Sequence, residues 1–476
     1  MSPSDFRGKY LRQLPAVGKL IEHPELKAIS ETCPRVLLSD AIREVLEGYK
    51  AEILNAGDEE HIRSLDLSVR RIVAEVSSLA AQKARMSLRR AINATGNVLP
   101  ENLGRAPLNE AAQKALQDVA RGYSTLAVEP GDRDSHVQSL LSILTGAESG
   151  LILNNDAAAV MITLNTIADG KEVIVSRGQI IESDSFRLPE VIAKSGAIMV
   201  SVGATNKTHL RDYHNAISEN SAAIMRVHKS SYRIAGFSQD VPLQELVELG
   251  RRHDIPVIDD IGSGCLVDLT QHGLPEEPPA FLSIRNGADI VCFSGDKLLS
   301  GPQAGIVIGR EEYISMMKKN PLYRILRVGK LTMAALEATL RLHLDSDKIL
   351  ELNPAFRLLT RPLEEIEAMT ESLVDSLTEK LRHLAVIQVQ DGYSRVGTIY
   401  SAPEEFPTKL IFIKPEKVSM DRLNERLHSR ELPIFGLVSD EQLVMDLRTV
   451  QEDELEEIAT GLAECCQSWG KVKAEY

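Results

Sequence analysis

From about residue 148 to residue 309 the chain alternates short apolar runs with helical patterns, and this alternation leaves few folds open. The candidate strands are Gly150–Leu153, Glu172–Val175, Ile198–Val202, Ala223–Val227, Pro256–Asp259, Asp289–Phe293 and Gly305–Ile308. Helical patterns separate several of them, most clearly at Ala157–Ile167 and Leu243–His253. The runs are almost continuously apolar rather than alternately apolar and polar. Strands of that kind are buried on both faces, as in a mostly parallel sheet covered by helices. The expected class is therefore α/β, with a seven-stranded sheet. In such a sheet a ligand lies beyond the carboxyl ends of the strands, and the residues able to do chemistry fall at those ends.

The last two strands enclose Cys292-Phe293-Ser294-Gly295-Asp296-Lys297-Leu298-Leu299-Ser300-Gly301-Pro302-Gln303-Ala304-Gly305. An apolar strand delivers one lysine into a loop rich in Gly, Pro and Ser. That arrangement suits pyridoxal phosphate. The Lys297 amine forms a Schiff base with the aldehyde, while the Ser294 hydroxyl and backbone N–H groups hold the phosphate. A Ser-x-x-Lys alone more often marks a solvated loop lysine, so the neighbours must decide. Asn154-Asn155-Asp156 ends the first strand and opens a helix, where N–H groups favour a phosphate; an Asx cap is an equally good and compatible reading. Asp259-Asp260 ends the fifth strand. Asp260 there can pair with a protonated pyridine nitrogen, or simply cap the turn. His228 follows the fourth strand at the same edge, as a structural histidine or a cofactor neighbour. Arg324 and Arg327, three residues apart, fall on one helix face or on one side of a turn. They suit a tetrahedral oxyanion, although a solvated basic face is the commoner meaning of such a pair.

The flanks read differently. Residues 1–90 are helical, with Leu11, Leu14, Val17, Leu20 and Ile21 at helical spacing, a Ser39-Asp40 cap before Ala41, and a second helix over about 59–88. They carry 15 Lys+Arg against 13 Asp+Glu, on a chain whose net charge is −14. The acidic body disfavours sequence-independent nucleic-acid binding, while the slightly basic front permits one specific polyanionic partner. Residues 91–108 form an ordered loop rich in Gly, Asn and Pro, before a helix beginning near Asn109. Residues 310–345 are helical. Residues 346–476 form a smaller α+β segment with strands at Val386–Val389, Leu410–Ile413 and Leu443–Leu447 and helices at Met420–Ser429 and Glu452–Cys466. The expected domains are thus 1–90, 91–345 and 346–476. Five cysteines without C-x-x-C spacing argue against a disulfide framework and a zinc site. No apolar run reaches the roughly 20 residues a membrane helix needs. Met1-Ser2-Pro3-Ser4-Asp5 lacks a signal pattern, so a cytoplasmic location is expected.

Several segments together are more specific than any one motif. They are Ser294–Leu299 with Gly301–Gly305, Asn102-Leu103-Gly104-Arg105-Ala106-Pro107-Leu108, Val173–Gln179, Thr205–Leu210, Ser231–Ile234, Asp446–Val450 and Leu11–Val17. On these the chain resembles the bacterial selenocysteine synthases, the L-seryl-tRNA(Sec) selenium transferases, over nearly its whole length. The resemblance implies a fold-type-I pyridoxal phosphate enzyme assembled as a ring of dimers, a homodecamer, whose N-terminal domain grips the tRNA. It implies Lys297 as the Schiff-base lysine and Asp296 as the neighbouring active-site acid. Arg324 and Arg327, at matching spacings after that lysine, would bind the phosphate-like group of the selenium donor, selenophosphate. Arg133 would join them.

The implied reaction removes water from seryl-tRNA(Sec), leaves an aminoacrylyl group, and adds selenide to give selenocysteinyl-tRNA(Sec). Two alternatives are a lyase acting on a small phosphorylated amino acid without tRNA, and a non-catalytic tRNA-binding protein. The basic front argues against the first, and intact Ser294, Lys297 and Asp260 against the second. The chain departs from the family at Pro100-Glu101, where His-Thr is usual, and at Lys229, where Thr is usual. Its loop before Ser135 is shortened and keeps only Arg133, in Gly131-Asp132-Arg133, and Ser183-Asp184 replaces a longer loop. These departures bear on the donor contacts more than on the cofactor site.

Overall fold

The computed structural model describes residues 3–128, 133–182, 186–229, 234, 236–274, 276–345, 347–394, 397 and 406–467. Gly131-Asp132, Ser183-Asp184 and Ser231–Arg233 lie outside them. The chain divides into two compact units, Met1–Arg90 and Ala91–Tyr476.

In the first unit, the helix Arg35–Asn55 packs against Val69–Ala84 through Leu38, Ala41, Ile42, Leu46, Ile72, Val73, Val76 and Ala80. Two expectations are corrected here. The long helix starts one turn earlier than a Ser39-Asp40 cap allows, because Pro34 takes the N-cap position; Asp40 lies inside the helix and pairs with Lys83. The helix expected over 59–88 is two helices, Glu59–Arg63 and Val69–Ala84. Asp66 accepts from the Ser68 N–H at 3.0 Å, and the Ser68 hydroxyl accepts from the Arg71 N–H at 3.3 Å. Those local bonds stop one helix and cap the next.

In the second unit all seven expected strands form. They are β1 (Ser149–Leu153), β2 (Glu172–Ser176), β3 (Ile198–Val202), β4 (Ser221–Val227), β5 (Val257–Gly262), β6 (Ile290–Ser294) and β7 (Gly305–Gly309). Their order is β1-β7-β6-β5-β4-β2-β3, and only β7 runs antiparallel to its neighbours. Apolar side chains are buried on both faces of the sheet. Val291, Phe293 and Ile306 enter one core, and Leu151, Ile290, Cys292 and Val307 the other. The alternation of β-strand side chains produces this division. Residues 310–345 are three helices, broken at Asn320-Pro321 and again at Arg327–Gly329.

The rest of the unit carries a four-stranded antiparallel sheet: β8 (Ala385–Tyr393), β9 (Pro407–Pro415), β10 (Leu437–Ser439) and β11 (Gln442–Asp446), in the order β10-β11-β9-β8. Helices Leu363–Leu381, Met420–Ser429 and Leu455–Cys466 cover it. Ile92–Asn93 pairs in parallel with Ile434–Phe435, so Ile92 and Ala94 are buried in this smaller core rather than against the large sheet. Asp446 closes the junction. It accepts from Ser394 Oγ at 2.7 Å, Thr408 Oγ1 at 2.8 Å and the Arg448 N–H at 3.0 Å.

Candidate active site

The carboxyl ends of β1, β4, β5 and β6 bring together the residues expected at the cofactor. β6 ends at Ser294, which is buried, as is Asp296. The Ser294 hydroxyl donates to Asp296 Oδ1. Asp296 Oδ2 lies 3.6 Å from the Arg105 Nε. Lys297 follows, half-buried, with no ion pair among the described residues. The loop is tight because Gly295 and Gly264 meet backbone: a Cβ on Gly264 would stand 2.1 Å from the Ser294 carbonyl oxygen.

Strand alternation separates the acidic pair ending β5. Asp259 turns into an ion pair with Arg226 at 3.0 Å and takes a hydrogen bond from Ser283 at 2.6 Å. Asp260 turns to the lysine side, where Oδ1 accepts from the Gly262 N–H at 3.1 Å. Burial, with Asp156 beside it, holds the Asp260 carboxyl well above the usual carboxylate range. Asn155 caps the helix Asp156–Ala168 by accepting from the Ala158 N–H at 2.9 Å. Asp156 Oδ1 is buried without a hydrogen-bond partner. Burial raises this carboxyl to about 6 against the pull of Lys297. His228 is held through its N–H to the Asp260 carbonyl at 2.8 Å. Burial lowers its imidazole to about 4, helped by Arg226, Lys229 and Lys297, so the ring is neutral near pH 7.

Of the two arrangements expected for the arginines, the structure excludes the shared helix face. Arg324 is exposed in the last turn of Pro321–Leu326, while Arg327 is that helix's C-cap, with extended backbone. They do not share a helix face, because the helix ends between them. Arg327 instead bridges to Leu153 at the end of β1. Arg133 Nη2 donates to the Val328 carbonyl at 2.6 Å, which brings Arg133 beside the Arg327 segment.

Two neighbours went unrecognised. Arg105 holds a left-handed backbone (φ 63°), and its Nη1 is buried without a partner. A non-glycine residue in that conformation marks a functional constraint worth weighing, but φ is not visible in sequence. Glu277, buried, lies 3.5 Å from His228 Nδ1 through Oε1. It sits in a proline-flanked loop, Pro275-Glu276-Glu277-Pro278, whose composition gives it no sequence signal.

The residues present fit pyridoxal phosphate. Among the described residues Lys297 has no ion pair and the buried atoms Asp156 Oδ1, His228 Nδ1 and Arg105 Nη1 near it have no hydrogen-bond partner, and a capped helix of thirteen residues starts beside it. Residues 91–451 match the family model described as L-seryl-tRNA selenium transferase, and residues 11–49 match that of the selenocysteine synthase N terminal. An L-seryl-tRNA(Sec) selenium transferase of Alkaliphilus metalliredigens is 44% identical over 454 residues, covering 94% of this chain and 97% of that protein. One of Solidesulfovibrio magneticus is 45% identical over 442 residues, covering 91% and 93%. The solved structure of a D-glucosaminate-6-phosphate ammonia-lyase matches with a TM-score of 0.54 at 19% identity, over 80% of this chain and 96% of that one. That likeness is one of fold. With both family models matched and relatives aligned almost end to end, the chain belongs to the L-seryl-tRNA(Sec) selenium transferase family.

Proposed function

We propose that this protein converts L-seryl-tRNA(Sec) to L-selenocysteinyl-tRNA(Sec) with selenophosphate as donor. The observation that carries the reading is a lysine just after the end of β6, without an ion pair among the described residues and near Asp260 and Asp156, inside a chain that the family models match over residues 11–49 and 91–451. Lys297 would hold the cofactor aldehyde, Asp260 its ring nitrogen, and His228 its ring. The N–H groups opening Asp156–Ala168, capped by Asn155, would hold its phosphate, while the Ser294 hydroxyl stays on Asp296. Pyridoxal phosphate, when bound, supplies the electron sink that makes the α-carbon of the seryl group acidic.

The chain's own residues do the rest. Lys297, once free, takes the α-proton, since no ion pair ties its amine elsewhere. Asp296, held by Ser294 and Arg105, sets the electrostatics next to that amine. Arg105, Arg133, Arg324 and Arg327 gather cationic groups for the donor's phosphate group, and planar guanidinium groups suit such an oxyanion. The seryl hydroxyl would leave as water; water would cleave the donor's P–Se bond, so that phosphate departs and selenide adds to the β-carbon while Lys297 returns the proton to the α-carbon. The unit Met1–Arg90, slightly basic against an acidic remainder, is the part suited to the tRNA. The working form is a homo-oligomer, a ring of dimers, in the cytoplasm. Among the described residues no helix is long and apolar enough to cross a membrane.

The test supplies purified holoenzyme with seryl-tRNA(Sec) and labelled selenophosphate. Labelled selenocysteinyl-tRNA is expected, with none from Lys297→Ala. Label-free tRNA from an active, cofactor-loaded wild type would overturn the reading.

A further inference from the structure

His228, placed above against the cofactor ring, is paired with a buried carboxylate, Glu277, to which the reaction above gives no role. Nδ1 of His228 and Oε1 of Glu277 are 3.5 Å apart and both are buried; among the described residues Nδ1 has no other partner, while the Ser263 hydroxyl also lies close to the Glu277 carboxyl. The His228 side chain as a whole is 23% exposed, so the rest of its ring accounts for the open part. Its main chain is fixed to β5 through the Asp260 carbonyl. The ring is therefore anchored behind and aimed by Glu277 at its inner nitrogen.

We propose that Glu277 is a positioning residue: its carboxyl donates to His228 Nδ1, so that His228 presents Nε2–H to the cofactor pocket. Two buried polar atoms at this distance need only a few tenths of an ångström to make a normal bond, and such bonds tighten when a site fills. One imidazole nitrogen must accept and the other donate when the ring is neutral, so the partner at Nδ1 decides the tautomer. The charge state agrees. Burial raises Glu277 to about 8, opposed by the Ser263 hydroxyl and the Lys297 ammonium, and burial lowers His228 to about 4. The single proton between them thus belongs to the carboxyl at neutral pH. The other ionisable groups facing the pair are Arg226, Lys229, Lys297 and Asp240 around His228, and Cys265 beside Glu277. The cations among them disfavour a charged imidazole. This inference rests on the cofactor site assigned above.

The test is 15N NMR of the holoenzyme labelled at histidine, with the His228 signals assigned by their loss in His228→Gln. At pH 7 the wild type should show an unprotonated Nδ1 and a protonated Nε2. Glu277→Gln should keep that pattern, because an amide N–H also donates. Glu277→Leu should lose it. Raising the pH through about 8 should turn Glu277 into an acceptor only, and the His228 proton should move to Nδ1 in the wild type but not in Glu277→Gln. A protonated Nδ1 in the wild type at pH 7 would overturn the proposal. So would an unchanged pattern in Glu277→Leu, or the same alkaline transition in Glu277→Gln. Borohydride trapping of the cofactor on Lys297 checks the underlying site separately, so failure of one is distinguishable from failure of the other.

Discussion

Gly305→Ala is a one-carbon change that should dismantle the cofactor site. Gly305 opens β7, and a Cβ there would stand 2.0 Å from the Asn155 carbonyl oxygen, 2.4 Å from its carbon and 3.0 Å from the Asp156 nitrogen. Ordinary contact begins near 3.4 Å, so the oxygen must move by about 1.4 Å. All three atoms are backbone, and no rotamer change relieves them. β7 cannot retreat, because it is bonded to β1 on one side and β6 on the other. The start of Asp156–Ala168 must shift instead, taking Asn155 and Asp156 with it. Overpacking of this kind costs about 1–3 kcal/mol or more, and a displacement near 1 Å at a reacting site can cost about 10²-fold in rate. Gly48→Ala is the control. Gly48 lies in the helix Arg35–Asn55 with nothing within 4 Å of its added carbon, and should stabilise by roughly 0.5–1 kcal/mol. Thermal unfolding and cofactor absorbance report both effects. If Gly305→Ala binds cofactor and unfolds like the wild type, the close approach of β7 to Asn155 does not position the site.

Other outcomes follow from the same geometry. Arg324→Ala and Arg327→Ala should each slow selenium incorporation by about one to two orders of magnitude, the loss of a charge-assisted bond of roughly 1.5–3 kcal/mol, while sparing cofactor binding; wild-type single-turnover rates would remove them from the donor site. Asp156→Asn should flatten the pH dependence of stability in the cofactor-free protein. Burial lifts the folded carboxyl to about 6, above the 3.8 of an ordinary aspartate, so the folded chain holds more protons and loses stability as pH rises through that window; urea midpoints across it would show equal slopes in both proteins if the reasoning is wrong. Asp446→Ala removes three hydrogen bonds at a buried carboxylate beside buried Arg448 and should cost roughly 3 kcal/mol or more, whereas a thermal shift worth less than about 1 kcal/mol would contradict that. Deletion of residues 1–90 should abolish tRNA binding and leave cofactor absorbance intact. A cut at residue 60 would fall inside Glu59–Arg63 and strip the helix Val69–Ala84 of its packing partner, so the whole unit must go; undiminished tRNA affinity would rule out its role.

The amino-acid sequence alone determined the large sheet and the place of the lysine. Strands buried on both faces are continuously apolar, so Ile290–Ser294 and its six companions show in one dimension, and the ends of such strands announce where Asp260, His228 and Lys297 stand. The cap at Asn155 was also legible, because a cap bond spans three residues. Tertiary structure alone decided what depends on distant backbone. Ile92–Asn93 joins a core whose partner strand lies at Ile434–Phe435, and no local pattern encodes that pairing. Arg327 left the helix face because the chain turns to meet Leu153. Arg105 reached Asp296, and Glu277 reached His228, across loops whose composition carries no periodicity. Their protonation follows from burial, a property of the packed chain: the same carboxyl is ordinary in an open loop and holds its proton once water is excluded.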